Sequence, residues 1–183
     1  MKKTVSVFCG SAVNKHSQRY LEIAEKAGKL LSEKGYLIAC GGGGGLMHRL
    51  CRSAIENGGK TIGICLNKKD IFQTNQLSSR LLYKTLYYRQ KKLLAIGDAY
   101  LVLPGGIGTI YEIAEIIEKK KIREINPDKP FIVVGNYFDH FKNQLISAHR
   151  FGFFPENLDD LVIFENNIEK AIERIEDYFK KND

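Results

Sequence analysis

Short runs of consecutive apolar residues alternate along the chain with longer stretches in which apolar residues recur every three or four positions. The first run, residues 4–9, reads as a buried strand, and 17–34 as an amphipathic helix closed by Gly35. Residues 36–40 return as a strand and lead into five consecutive glycines, 41–45. A helix over 46–57 stops at Gly58-Gly59, and 61–65 is the next strand. Residues 66–82 read as irregular, with a short strand near 81–83. A helix at 87–96, a strand at 99–103 and a second glycine turn at 104–108 follow. Helix 109–121, strand 131–134, helix 138–149, strand 161–164 and helix 167–181 complete the alternation. Continuous Val/Ile/Leu strands separated by such helices predict βαβ units and a mostly parallel sheet with helices on both faces. The expectation is one Rossmann-like, doubly wound α/β domain over residues 1–183, with about six or seven strands. In such sheets ligands bind beyond the carboxyl ends of the strands. Both glycine turns lie there, each between a strand and a helix, where backbone amides favour an anion.

Composition narrows the setting. At 44% hydrophobic and 27% charged residues, a disordered chain is excluded. No apolar run approaches the ~18 residues of a membrane span. The start, Met1-Lys2-Lys3-Thr4, runs straight into the first strand and is too short for a signal h-region. Cys9, Cys40, Cys51 and Cys65 form no CxxC pair and read as reduced and buried. A soluble, cytoplasmic protein is expected.

Charge adds a candidate ligand class. Residues 1–155 carry 24 Lys and Arg against 12 Asp and Glu, whereas 156–183 carry 4 against 9. Arg80, Lys84, Arg89, Lys91 and Lys92 fall in 71–97, which has no acid at all. A field of that sign draws anions, though most such runs are only solvated faces. Nucleic acid is disfavoured, because no helix-turn-helix, RNP or zinc-finger pattern accompanies the charge. A phosphorylated small molecule fits as well.

Three motif matches fail on context. Ala54-x4-Gly59-Lys60-Thr61 imitates a phosphate-binding P-loop but follows a helix and precedes a strand, the reverse of what that loop needs. Gly43-x-Gly45-x-x-His48 and Gly106-x-Gly108-x-x-Tyr111 each lack the third glycine of a dinucleotide fingerprint, and neither follows the first strand. His16, His48, His140 and His149 show no metal-ligand spacing, so no metal is expected.

What survives is Leu103-Pro104-Gly105-Gly106-Ile107-Gly108-Thr109-Ile110-Tyr111-Glu112. Three glycines let the backbone approach a ligand closely, and Thr109 is placed to offer its hydroxyl to a phosphate. Thr109-x-x-Glu112 is equally a helix capping box, in which Glu112 does nothing but cap. Arg89 tilts the balance: it lies on the apolar stripe of Leu86, Leu93 and Gly97, while Lys91 and Lys92 point away. A sheet-facing arginine needs an anionic partner.

With these residues together, Pro104-Gly105-Gly106-x-Gly108-Thr109-x-x-Glu112, and Arg89 nine residues before Asp98, the chain resembles the LONELY GUY family. These are phosphoribohydrolases of cytokinin riboside 5′-monophosphates, long described as lysine decarboxylase-like. Phe8-Cys9-Gly10-Ser11, the turn 41–45 with Leu46-Met47, Asp98-Ala99-Tyr100 and Lys129-Pro130 also match. The resemblance implies an enzyme that needs no cofactor and cleaves a nucleoside 5′-monophosphate into free base and ribose 5-phosphate. It makes Arg89 and Glu112 the catalytic pair. Gly105, Gly106, Gly108 and Thr109 then hold the phosphate, with Gly10, Ser11, Gly43, Gly44 and Gly45 completing the nucleotide site. The family usually has Arg-Lys where this chain has Arg89-Gln90, and Gly or Glu after the glycine turn where this chain has Leu46-Met47-His48. A non-catalytic nucleotide or molybdenum-cofactor carrier of the same fold is the alternative. A homodimer, or an oligomer built of dimers, is also expected. The helix from Thr109 puts Ile110, Ile113, Ala114 and Ile117 in the core and leaves Ile116 apolar off that stripe, while the family resemblance implies a site completed by a partner helix.

Overall fold

The computed structural model describes residues 2–68, 72–154 and 156–182. Its elements run β1 (Thr4–Phe8), α1 (Gln18–Glu33), β2 (Leu37–Cys40), α2 (Gly45–Glu56), β3 (Lys60–Leu66), β4 (Ser79–Tyr83) and α3 (Leu86–Ile96). Then come β5 (Ala99–Val102), α4 (Ile107–Lys121), β6 (Phe131–Val134), α5 (Asp139–Arg150), β7 (Ile163–Glu165) and α6 (Ile168–Lys181). The seven strands form one sheet in the order β4-β3-β2-β1-β5-β6-β7, and every pairing is parallel. The chain winds outward from β1 to β4, recrosses the sheet through α3, and continues outward on the other side from β5. Beyond the carboxyl ends of β1 and β5 the connections therefore diverge, leaving the crevice in which such sheets bind ligands.

Two cores explain the uninterrupted apolar strands. Val5, Val7 and Cys9 of the first strand and its exit pack with α1, α2 and α6. Phe8 faces the other way, into the layer of α3, α4 and α5. There the Phe8, Tyr100 and Phe131 rings follow one another with centroids 6.0 and 6.2 Å apart. The Tyr100 hydroxyl, buried in this layer, donates to the Leu94 carbonyl at 2.8 Å. Each central strand is covered on both faces and is therefore largely apolar, and the buried Ser6 hydroxyl of β1 is satisfied by donating to the Leu93 carbonyl at 2.7 Å. Among the described residues no helix is long and apolar enough to cross a membrane.

The structure corrects several sequence expectations. Within the stretch 66–82, the short strand expected near 81–83 begins two residues earlier, at Ser79, and forms β4 at the sheet edge next to β3. Residues 69–71 of that stretch lie outside the described residues. The rest of the loop is tied down: Thr74 donates its amide to the Gly42 carbonyl at 2.9 Å, and its hydroxyl meets His48 Nδ1 at 2.8 Å. Leu86 is half exposed, so the stripe on α3 begins at Arg89 and Gln90 rather than at Leu86. Helix α4 starts at Ile107, two residues early, because Gly106 takes the extended N-cap conformation. Its buried face is accordingly Thr109, Glu112, Ile113, Ile116, Ile117 and Lys120, the i, i+3, i+4, i+7, i+8, i+11 pattern of a wide stripe. Ile116 is therefore wholly buried in the protein's own core, and Ala114 is exposed. Ile116 does not mark an interface.

Candidate active site

A cavity of about 530 Å³ opens at the switch point between β1 and β5. Its frame is a pair of backbone bonds at Gly10. The Gly10 amide donates to the Pro104 carbonyl at 3.0 Å, and the Gly10 carbonyl accepts from the Leu46 amide at 3.0 Å. One residue after β1 thus stitches together the two glycine turns that the sequence places far apart. The Gly10 N–H is spent on this frame, while Ser11 stands at the cavity wall beside Gly43.

The second turn puts a helix N-terminus, of the kind that favours anions, at one end of the cavity. Gly106, Ile107 and Gly108 precede any intrahelical acceptor on α4, so their amides face the cavity that they line. A Cβ on Gly106 or Gly108 would meet nothing within 4 Å. These glycines leave room for a ligand rather than for packing. Gly105 differs: a Cβ there would lie 2.1 Å from Thr109 Oγ1 and 2.8 Å from the Gly10 nitrogen. Only glycine allows that turn to fold back on β1. Gly43 and Gly44 belong to the facing turn, and Gly45 begins α2.

Glu112 lies at the cavity's other end, about 9 Å along α4 from Gly106 at the usual rise per residue. It does not cap the helix. The N-cap is Gly106, without a side-chain cap bond, and Thr109 is already the third helical residue. Instead Arg89 Nη1 donates to Glu112 Oε1 at 3.4 Å, with both side chains nearly buried. Arg89 is held from behind by Nε donating to the Ile64 carbonyl at 3.0 Å. Its guanidinium passes so close to Gly41 that a Cβ there would sit 2.0 Å from Nη2. Burial pushes the Glu112 carboxyl up to about 7, against the pull of Arg89, with Glu115 adding to the rise. Near neutral pH this carboxyl is poised between its two forms.

The chain has relatives among known proteins. Residues 47–175, a span from α2 to α6 that includes Arg89, the whole second turn and Glu112, match the family described as "Possible lysine decarboxylase". The chain belongs to this family. Its relatives include a cytokinin riboside 5′-monophosphate phosphoribohydrolase of Rhodococcoides fascians, 27% identical over 94% of this chain and 89% of its own. Another, LOG5 of Arabidopsis thaliana, carries the same activity in its name and is 25% identical over 99% of this chain and 80% of its own. These are LONELY GUY proteins. Among solved structures, the Moco carrier protein of Chlamydomonas reinhardtii shares the fold with a TM-score of 0.75, at 19% identity and 99% coverage of both chains.

Family membership leaves several site features of this chain to be read from its own structure. Tyr20 on α1 and Tyr137 after β6 form an edge-to-face pair, centroids 5.3 Å apart, and line the cavity. Met47 and Leu66 line the Arg89 end. Of these four only Met47, which follows the first glycine turn, stands in a stretch the sequence had singled out. The available signal was position: Tyr137 and Leu66 follow or end strands whose carboxyl ends face the site. Gln90, where the family usually has lysine, is buried, and neither its amide nitrogen nor its oxygen has a hydrogen-bond partner among the described residues. Beneath the first glycine turn, Cys40 and Cys51 bring their sulfurs to 3.4 Å, and the Gly42 amide also reaches Cys40 Sγ. The Cys51 hydrogen bond and the turn hold Cys40 below its usual value, and burial pushes the Cys9 thiol well up.

Proposed function

We propose that this protein hydrolyses the N-glycosidic bond of a nucleoside 5′-monophosphate, AMP or a cytokinin riboside monophosphate, to free base and ribose 5-phosphate. One observation carries the reading. A buried carboxylate, paired with an arginine, shares a cavity with an anion-binding helix N-terminus one ribose-phosphate length away. The 5′-phosphate sits on the amides of Gly106, Ile107 and Gly108 with the Thr109 hydroxyl, and the ribose C1′ lies toward Glu112. As the C1′–N bond breaks, its electron pair leaves with the base, and positive charge builds on C1′ and the ring oxygen. The Glu112 carboxylate faces that charge. At ~4 Å and an effective dielectric of ~20 the attraction is ~4 kcal/mol, about three decades of rate. Water then adds to C1′, and its proton balances the departing base. Arg89 keeps a fraction of Glu112 ionised despite its burial and assists departure of the base. The names of the relatives support this chemistry.

The likeness to carrier proteins favours a second reading, a nucleotide or molybdenum-cofactor carrier without turnover. A carrier has no need of a carboxylate buried against its ordinary titration range. Incubation with AMP separates the two. Free adenine and ribose 5-phosphate support the hydrolase, whereas tight binding with AMP recovered intact supports the carrier.

A further inference from the structure

A second cavity, of about 290 Å³, adjoins the first and shares Tyr20, Pro104 and Tyr137 with it. These three residues stand at the phosphate end, opposite Arg89 and Glu112, so the smaller cavity lies beyond the 5′-phosphate rather than beyond the base. Its remaining wall holds no acid: Arg19 and Ile23 from α1, Gly135 and Asn136 after β6, and Asn166 after β7, with Arg19 and both asparagines exposed at its rim. Arg19 has no carboxylate partner among the described residues. Its guanidinium lies over the Tyr20 ring, 4.5 Å from the centroid, and donates to the Tyr20 hydroxyl, which fixes its direction and leaves most of its donors unused.

We infer that this cavity takes a second phosphoryl group carried on the nucleotide's 5′-phosphate, so that the site accepts nucleoside 5′-diphosphates as well as monophosphates. The first phosphoryl group remains on the α4 amides. The second passes Pro104 and meets the Arg19 fork, which suits phosphate oxygens geometrically as well as by charge. The carboxamides of Asn136 and Asn166 add neutral donors, and no wall carboxylate repels the added charge. The inference rests on the proposed function only for the direction in which a nucleotide lies.

Binding of AMP and ADP, measured calorimetrically on Glu112→Gln protein so that turnover does not consume the ligand, tests the inference. ADP is expected to bind at least about fivefold tighter than AMP. Adding Arg19→Ala should bring the ratio of the two dissociation constants close to one, and Arg19→Lys should retain part of it. ADP binding no tighter than AMP, or a ratio that survives Arg19→Ala, overturns the subsite. Adenine release by the parent protein is read separately. Its absence, with the binding ratio intact, overturns the hydrolase reading and leaves the subsite standing.

Discussion

Arg89 and Glu112 stand on either side of β5 in sequence, yet their side chains meet with Nη1 and Oε1 3.4 Å apart. Helix α3 delivers the arginine into β5, and α4 carries the glutamate out of it on the same face of the sheet. The pair therefore depends on the crossover that returns the chain from β4 to β5. Within it Arg89 lowers the Glu112 carboxyl and burial raises it, and burial wins. Arg89→Ala should push the carboxyl still higher, moving the pH profile of AMP hydrolysis upward and cutting turnover by about two decades. An unshifted profile in that variant would mean the contact has no electrostatic role.

Under the proposed mechanism the same carboxyl should set a pH dependence of activity. The ionised form is the one that faces the oxocarbenium centre, so turnover should rise as pH passes through about 7. A rate that falls over that range would reassign Glu112 to the protonated form.

Folding stability should move the opposite way. Glu112 titrates near 7 in the folded protein against an ordinary value of 4.5. Between those values the folded state keeps a proton that the unfolded chain has lost, so stability falls as pH rises, and the loss is complete above about pH 8. The total is on the order of 3 kcal/mol. Urea denaturation from pH 5 to 8.5 should show this slope in the parent and a flatter one in Glu112→Gln. Equal slopes would place the titration elsewhere.

Much of this was legible in the sequence because both signals were local. Strands buried on both faces leave continuous apolar runs, and the strand–turn–helix setting of residues 103–112 separates a ligand loop from the failed P-loop match at 54–61. The register of α4 was not legible. Whether Gly106 or Thr109 caps it depends on how closely Gly105 folds against Gly10, a contact between segments remote in the chain. That three-residue difference in the cap decided whether Glu112 was a cap or a buried partner of Arg89, and whether Ile116 faced outward. Strand β4 was legible only as a short segment near 81–83, because Leu81 and Leu82 are exposed at the edge and carry no alternating or buried pattern that would mark its start at Ser79.

The glycines of the second turn separate packing from ligand space. Gly108→Ala should fold with unchanged or slightly raised thermal stability, since its Cβ meets nothing and alanine favours a helix. KM for AMP should nonetheless rise about tenfold or more. Gly41→Ala acts differently, by displacing the Arg89 guanidinium, and should lower kcat instead. Parent-like KM in Gly108→Ala would remove the phosphate from this turn.

An oligomer remains expected, on a surface other than Ile116. Leu81, Leu82, Leu86, Tyr87 and Tyr88 are all exposed within eight consecutive positions spanning β4 and the start of α3. An apolar stretch of that extent is characteristic of a covered surface. Light scattering at micromolar concentration should give a mass of two chains or a multiple, reduced by Leu86→Glu. A single-chain mass for the parent would contradict this.

The central claim is that Glu112 acts on the breaking glycosidic bond. Glu112→Gln preserves the size of the side chain and removes its charge, and no cap bond is lost because none exists. The most direct measurement is the rate of adenine release from AMP by the parent and by this variant, with AMP affinity recorded alongside. The account predicts that turnover falls by about two to three decades while AMP still binds. A Glu112→Gln protein that releases adenine at nearly the parent rate would contradict it.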